Sequence, residues 1–187
     1  RHADLTVVPM EGWNRAMRWE ETGLPWIAPS PNLPTPQCAY VYPATCIIEA
    51  TNLSEGRGTP RPFCTIGAPF VDGAKLAAEL IARRTAGMEL ASVDFVPVSS
   101  KFSGIMCHGV VVSVKDPAML SFVLVGLKFV QCLHELYPKE LLLNRHWFNR
   151  LLGKGDVLDR LLGGEKPETI CRQWVKETES FRSRSMQ

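Results

Sequence analysis

The sequence predicts an α+β domain, a small β-sheet with helices packed on it and a helical C-terminal third. Two β-rich runs, residues 93–98 and 110–114, flank a Ser/Lys/Gly loop at 99–104 and read as neighbouring strands. Ahead of them, Asp72 is placed to cap an amphipathic helix running through residue 86. After them, residues 117–136, 155–162 and 167–184 are bounded by Pro or Gly and read as helices, the last ending in a polar tail. With 187 residues and 45% hydrophobic content, the chain can bury one sizeable core, so residues 1–187 are expected to form a single domain.

In chain order, residues 5–10 form a short β-branched run closed by Pro9 and read as a strand that continues a sheet begun upstream. Residues 11–36 carry Trp13, Trp19 and Trp26 among five prolines (Pro25, Pro29, Pro31, Pro34, Pro36), which forbids long helices. The tryptophans mark an ordered loop, because their large apolar area needs burial or a ligand, and core packing is the first expectation for each. Thr35 can cap a helix with Pro36 at its first position, and the apolar run continues to Ala50 before a polar loop at 51–59. In the helix after Asp72, Ala77, Leu80 and Ile81 are assigned to one face and Lys75, Glu79 and Arg83 to another, with Gly87 as the stop. No internal repeat is visible.

The balance of 21 basic and 19 acidic side chains leaves a net charge of +2 and no basic footprint for nucleic acid. The most apolar run, residues 119–137, is interrupted by Ser121, Lys128, Gln131, His134 and Glu135, so a buried helix fits better than a membrane span. The chain starts at Arg1 and shows no signal-peptide pattern, which reads as a piece of a longer protein. Cys38, Cys46, Cys64, Cys107, Cys132 and Cys171 form no CxxC pair and have no His at zinc-ligand spacing. Buried, redox-silent thiols are the expectation, and neither metal nor organic cofactor is indicated.

The densest chemistry lies between Tyr40 and Phe63. Glycines on both sides of Arg57 allow left-handed or tightly turned backbone and a close approach to a ligand. An arginine offers a planar fork for a carboxylate or phosphate, while Asn52, Ser54 and Thr59 supply neutral donors and acceptors suited to sugar hydroxyls and acetamides. The same residues also suit a structural turn in which Glu55 pairs with Arg57 or Arg61 and Asn52 caps the preceding helix. His108, His134 and His146 have no ligand partners at useful spacing and read as core or surface histidines.

The order and spacing of several runs carry a resemblance. They are Pro29-Ser30-Pro31-Asn32-Leu33-Pro34-Thr35, Val41-Tyr42-Pro43-Ala44-Thr45, Glu49, and Thr51-Asn52-Leu53-Ser54-Glu55-Gly56-Arg57-Gly58-Thr59. Arg61-Pro62-Phe63 and Gly67-Ala68-Pro69-Phe70 follow, and Asp4 to Met10 with Gly12-Trp13 precede. Together they resemble the C-terminal half of the NamZ-type exo-β-N-acetylmuramidases, strongly to Phe70 and loosely afterwards, where Lys101, Cys107, Gly109 and Val110 fit. Ala44 departs from the glycine of that pattern.

The resemblance implies a Rossmann-like N-terminal domain ahead of this one, an active site in the cleft between them, and a main catalytic glutamate in the domain absent here. It implies hydrolysis of terminal non-reducing N-acetylmuramic acid from peptidoglycan fragments, hence a secreted or periplasmic setting. Within this chain it assigns substrate binding to Tyr42, Asn52, Ser54, Glu55, Arg57, Thr59 and Arg61. Arg57, or else Arg61, would meet the lactyl carboxylate, and Tyr42 the sugar ring. Glycoside hydrolysis commonly uses two carboxylates, and Glu49 and Glu55 are the candidates here, with holding Arg57 as their more natural role. Two other readings stand beside this one. One is a cell-wall sugar-binding or domain-contact module without chemistry, and the other an enzyme complete in this chain that uses Glu49 or Glu55 with His108.

Overall fold

A computed structural model of the protein describes residues 3–185; Arg1, with which the sequence opens, and His2, Met186 and Gln187 lie outside the described residues. Three antiparallel strands in the order β1-β3-β2 make the sheet, with β1 at Thr65–Ala68, β2 at Met88–Phe95 and β3 at Cys107–Val114. Helices α1 (Pro36–Thr45), α2 (Gly73–Ala82) and α3 (Phe122–Leu136) close the core against it. The short helices α4 (Arg145–Leu152), α5 (Val157–Leu162), α6 (Pro167–Arg172) and α7 (Val175–Ser185) complete the chain. This is the α+β arrangement that the sequence predicts, with the helical C-terminal third in place.

Strand β3 is central, paired with β1 on one side and β2 on the other, and its Val110, Val112 and Val114 face the core in one cluster with Ile66, Leu76, Leu80 and Phe129. Helix α1 begins as expected: the Thr35 hydroxyl accepts from the Cys38 amide at 3.3 Å and Pro36 occupies the first turn. Pro43 lies inside the helix and offers no amide to the carbonyl one turn back, and three residues on the chain tightens into a 3₁₀ turn, Cys46–Ala50.

Several boundaries differ from those predicted, each for a local reason. Residues 5–10 form no strand: they pair with neither sheet edge, and Leu5, Val7, Val8 and Met10 are exposed. Helix α2 stops at Ala82 because the Lys128 ammonium takes the Arg83 carbonyl at 2.7 Å and Arg84 turns left-handed at φ 50°. Its buried face is Leu76, Ala77 and Leu80, while Ile81 is exposed. Strands β2 and β3 start earlier than their β-rich runs because each pairs with the other over eight residues. The segment predicted at 117–136 divides into a 3₁₀ turn, Pro117–Met119, and α3. The one predicted at 167–184 divides at Gln173 because α6 buries Pro167 and Ile170 on the core, whereas α7 is polar and exposed.

Strand β1 and helix α4 were not predicted. The helix had legible ends: the Asn144 side chain caps Trp147 and Gly153 stops it at φ 75°. All six cysteines are free thiols, four buried and two half-buried. Trp19 and Trp26 meet edge to face at 5.4 Å, and the Trp26 indole donates to the Leu33 carbonyl; both are half-buried and pack on each other outside the core that was expected to take them, while Trp13 is exposed.

Helices α1 and α3 approach closely at Gly126, where an added Cβ would stand 2.6 Å from the Ala44 carbonyl oxygen. A Gly126→Ala substitution gains about 1 kcal/mol of helix propensity, but its clash is with backbone, and overpacking of this kind costs about 1–3 kcal/mol. Net destabilisation is therefore expected, read as a lower midpoint in urea at unchanged slope.

Candidate functional site

Residues 51–59 leave the 3₁₀ turn and run along the free side of β1, where Ser54 and Gly67 exchange backbone hydrogen bonds at 2.8 and 3.1 Å. Two left-handed glycines shape the loop, both at φ 79°. A side chain at Gly56 would stand 2.4 Å from the Thr65 carbonyl oxygen, and one at Gly58 would stand 2.5 Å from the Ser99 amide. The close approach these glycines permit is thus to the protein's own backbone, with Arg57 presented between them.

Arg57 is held on three sides. Its Nε donates to Glu55 at 2.9 Å, one Nη2 hydrogen reaches Glu49 at 3.1 Å, and the guanidinium lies over the Phe63 ring, 5.1 Å from the centroid. The Tyr42 ring meets the same Phe63 edge to face at 4.7 Å, so a tyrosine from α1 and an arginine from the loop share one aromatic support. Phe63 adopts φ 63°, a backbone conformation that costs a bulky residue about 1–3 kcal/mol. Its amide donates to the Glu55 carbonyl at 2.7 Å, which helps to fix it there. Burial pushes the Tyr42 phenol above its usual value; Cys46 and Glu49 push the same way and Arg57 opposes them, so the phenol stays a hydrogen-bond donor at neutral pH.

Beneath this surface lies Lys101. Its ammonium meets the carbonyls of Thr51 at 2.8 Å, Leu53 at 3.0 Å and Glu49 at 3.4 Å, and the Glu55 carboxylate at 3.0 Å. Ser100 and Phe102 on either side of it are both left-handed, at φ 67° and 59°. Glu55 is nearly fully enclosed and gives one oxygen to Lys101 and the other to Arg57. Two cations and two carboxylates therefore form one linked, charge-balanced group.

The other candidate residues divide by position. The Asn52 amide is committed to the chain opposite, donating to the Glu140 carbonyl and accepting from the Leu142 amide, both at 2.9 Å. It joins two loops and caps no helix. Ser54 is buried and its hydroxyl accepts from the Gly56 amide, while Thr59 closes the turn by donating to the Gly56 carbonyl at 2.7 Å. Arg61 is exposed, and its guanidinium lies 3.4 Å from the Ser113 hydroxyl on β3. His108 pairs with Asp94 at 2.7 Å across the β2–β3 ladder, and neither Glu49 nor Glu55 bonds to it. The turn in which Glu55 pairs with Arg57 is thus present, and Glu49 and Glu55 converge on one guanidinium. Phe63 and the role of Lys101 were missed; the signal available for Lys101 was its place in a Ser/Gly loop between two strands.

A cleft of about 500 Å³ opens elsewhere, between α2, α3 and α6, lined by Arg83, Lys128, Gln131, Glu135, Lys166 and Glu168. Among the described residues no cluster of three or more His, Cys, Asp or Glu side chains is disposed to hold a metal, and no helix is long and apolar enough to cross a membrane.

Residues 40–187 match the family model described as exo-beta-N-acetylmuramidase NamZ, C-terminal, and residues 1–37 match the one described as exo-beta-N-acetylmuramidase NamZ, N-terminal. The chain is 40% identical over 180 residues to the peptidoglycan beta-N-acetylmuramidase NamZ of Bacillus subtilis (strain 168). That match covers 96% of this chain and 44% of the relative, so the chain spans less than half of the relative's length. A crystal structure of a DUF1343 family protein from Bacteroides fragilis NCTC 9343 superposes with a TM-score of 0.81 at 28% identity, covering 92% of this chain and 47% of that one. A second DUF1343 family protein from the same organism gives 0.59 at 26% identity, covering 83% and 41%.

Replacing Lys101 by Met keeps the length of the side chain but leaves three carbonyls and the enclosed Glu55 carboxylate without their shared cation. A loss of about 2–3 kcal/mol is expected, the side chain being partly solvated rather than fully buried. Urea titration of Lys101→Met and Lys101→Arg checks it, with Arg expected to recover part of the loss by keeping the charge.

Proposed function

The chain belongs to the exo-β-N-acetylmuramidase NamZ family, and from that membership we propose that it forms one wall of the saccharide site in an enzyme that hydrolyses terminal non-reducing N-acetylmuramic acid from peptidoglycan fragments. The observation that carries this reading is the Arg57 fork, held in plane by Glu49 and Glu55 and carried on the same phenylalanine as Tyr42. Both glutamates bond the Nε and Nη2 side of the guanidinium, and among the described residues none bonds Nη1. Its two N–H groups suit the lactyl carboxylate that sets muramic acid apart from glucosamine. The half-exposed Tyr42 ring offers an apolar face for a sugar and a phenol that donates to a hydroxyl.

In this reading Glu49 and Glu55 orient Arg57 and are not the acid and base of the reaction, since each already bonds a cation. The main catalytic glutamate comes from a Rossmann-like domain ahead of this one, and the enzyme works outside the cytoplasm, where its substrate is. The exposed Leu5, Val7, Val8 and Met10, within the residues that match the N-terminal family model, support close packing against such a domain. They equally favour the second reading, in which this chain binds cell-wall sugar or a neighbouring domain without assisting chemistry.

Two measurements separate these readings. This chain alone is expected to release no N-acetylmuramic acid from a muramyl-glucosamine disaccharide, and release would show that the chemistry resides here. In the longer protein, Arg57→Ala is expected to lower kcat/KM by roughly 10- to 100-fold, the equivalent of about 1.5–3 kcal/mol for a charge-assisted hydrogen bond. An analogue without the lactyl group is expected to be a poor substrate already and to lose little more. Equal losses on both substrates would reject the carboxylate role for Arg57, and unchanged turnover of both would favour the contact-module reading.

A further inference from the structure

Two enclosed sulfurs meet beneath the candidate site. Cys38 lies in the first turn of α1 and Cys64 just before β1, 26 positions later, with their Sγ atoms 3.8 Å apart. The hydroxyl of Thr35, the cap of the ten-residue α1, reaches the Cys38 sulfur at 3.2 Å. A sulfur in the first turn of a helix that accepts two hydrogen bonds is set up to carry the negative charge of a thiolate. Donation from the Cys64 thiol lowers Cys38 to about 6 against the opposing effect of burial, and the same contact pushes Cys64 up. Burial raises Cys46, Cys107, Cys132 and Cys171, and among the described residues none of these four bonds another sulfur.

We infer that Cys38 and Cys64 are a dithiol redox pair, which a low-molecular-weight disulfide oxidises to an intramolecular bond that clamps α1 to the start of β1. While the chain is still folding and both sulfurs are open to solvent, the Cys38 thiolate attacks one sulfur of the external disulfide, forming a mixed disulfide and expelling one thiolate. Cys64, losing its proton, then attacks the Cys38 sulfur; the protein disulfide forms, the mixed disulfide breaks, and the second small thiol leaves. Two protein thiols are oxidised and one external disulfide is reduced to two thiols. The sulfurs must close to roughly 2 Å, a movement on the scale of side-chain torsions.

The location gives the pair its consequence. Tyr42 stands one helical turn after Cys38, and Phe63, on which Tyr42 and Arg57 both rest, is the residue before Cys64. The bond would tie together the two supports of that surface. This inference does not rest on the saccharide reading, because sulfur contact and redox state are measurable on the chain without any substrate.

Because both sulfurs are enclosed, the oxidant is best supplied during folding. The reduced, unfolded chain is refolded in a mixture of oxidised and reduced glutathione and, in parallel, in excess dithiothreitol. Each sample is then unfolded and alkylated with iodoacetamide. The glutathione sample is expected to take up four alkyl groups against six for the reduced one, to yield a linked Cys38–Cys64 peptide on non-reducing digestion, and to melt roughly 6–12 °C higher. In Cys64→Ala the two redox conditions are expected to give the same alkylation count and the same Tm. Six alkyl groups in both samples, a link between any other pair, or a linked protein that melts no higher than the reduced one would each overturn the assignment.

Discussion

A single ammonium group holds the motif loop in shape. Lys101 reaches out of the β2–β3 connection and gathers carbonyls of Glu49, Thr51 and Leu53, three peptide groups that no sheet or helix partner could satisfy together, and adds the enclosed carboxylate of Glu55. Enclosing Glu55 would be costly alone, since a carboxylate out of water needs a cation and its hydrogen bonds. With Lys101 on one oxygen, the other oxygen fixes the Nε of Arg57, and the orientation of the half-buried fork follows from a contact made on the opposite side of the glutamate. The left-handed Ser100 and Phe102 around Lys101 fit this picture, because strain of about 1–3 kcal/mol per residue persists only where surrounding contacts hold it.

Phe63 joins that polar group to the apolar core. Enclosed and in a left-handed backbone conformation, it offers one ring to Tyr42 from α1 and to Arg57 from the loop. The cation and the aromatic donor are thereby set side by side by packing, although their elements arrive from different directions. The contact between Cys38 and Cys64 lies under the same junction, so the sheet edge, the first helix and the motif loop meet at one place in the core.

Backbone pairing and long-range side-chain contacts also explain where local patterns and the structure part. The run at residues 5–10 has strand-like composition, but a strand exists only when its amides and carbonyls find another chain segment, and neither edge of the sheet accepts it. Asn52 sits in a glycine-rich loop, and its amide fastens residues 140–142, a contact that its neighbours in sequence do not announce. For such a residue, local sequence is blind to a partner nearly ninety positions away. In α2, the Arg83 carbonyl ends up against Lys128 of α3, and a helix with good local periodicity stops early.

Several features were determined by the sequence alone because their causes are local. The α1 cap at Thr35-Pro36, the α2 cap at Asp72, the left-handed glycines around Arg57 and the β-rich run of valines in β3 each depend on neighbours a few residues away. A turn in which Glu55 pairs with Arg57 or Arg61 was legible too, and the structure chose Arg57. The tertiary structure decided what no short window contains. It placed the Lys101 ammonium among carbonyls some fifty positions away, set Tyr42 and Arg57 on a common phenylalanine, and brought two sulfurs into contact across 26 positions. Each of these contacts acts over a few ångströms between segments that only the packing of α1, the motif loop and the β2–β3 connection brings together, so their energies have no signature in local periodicity or propensity.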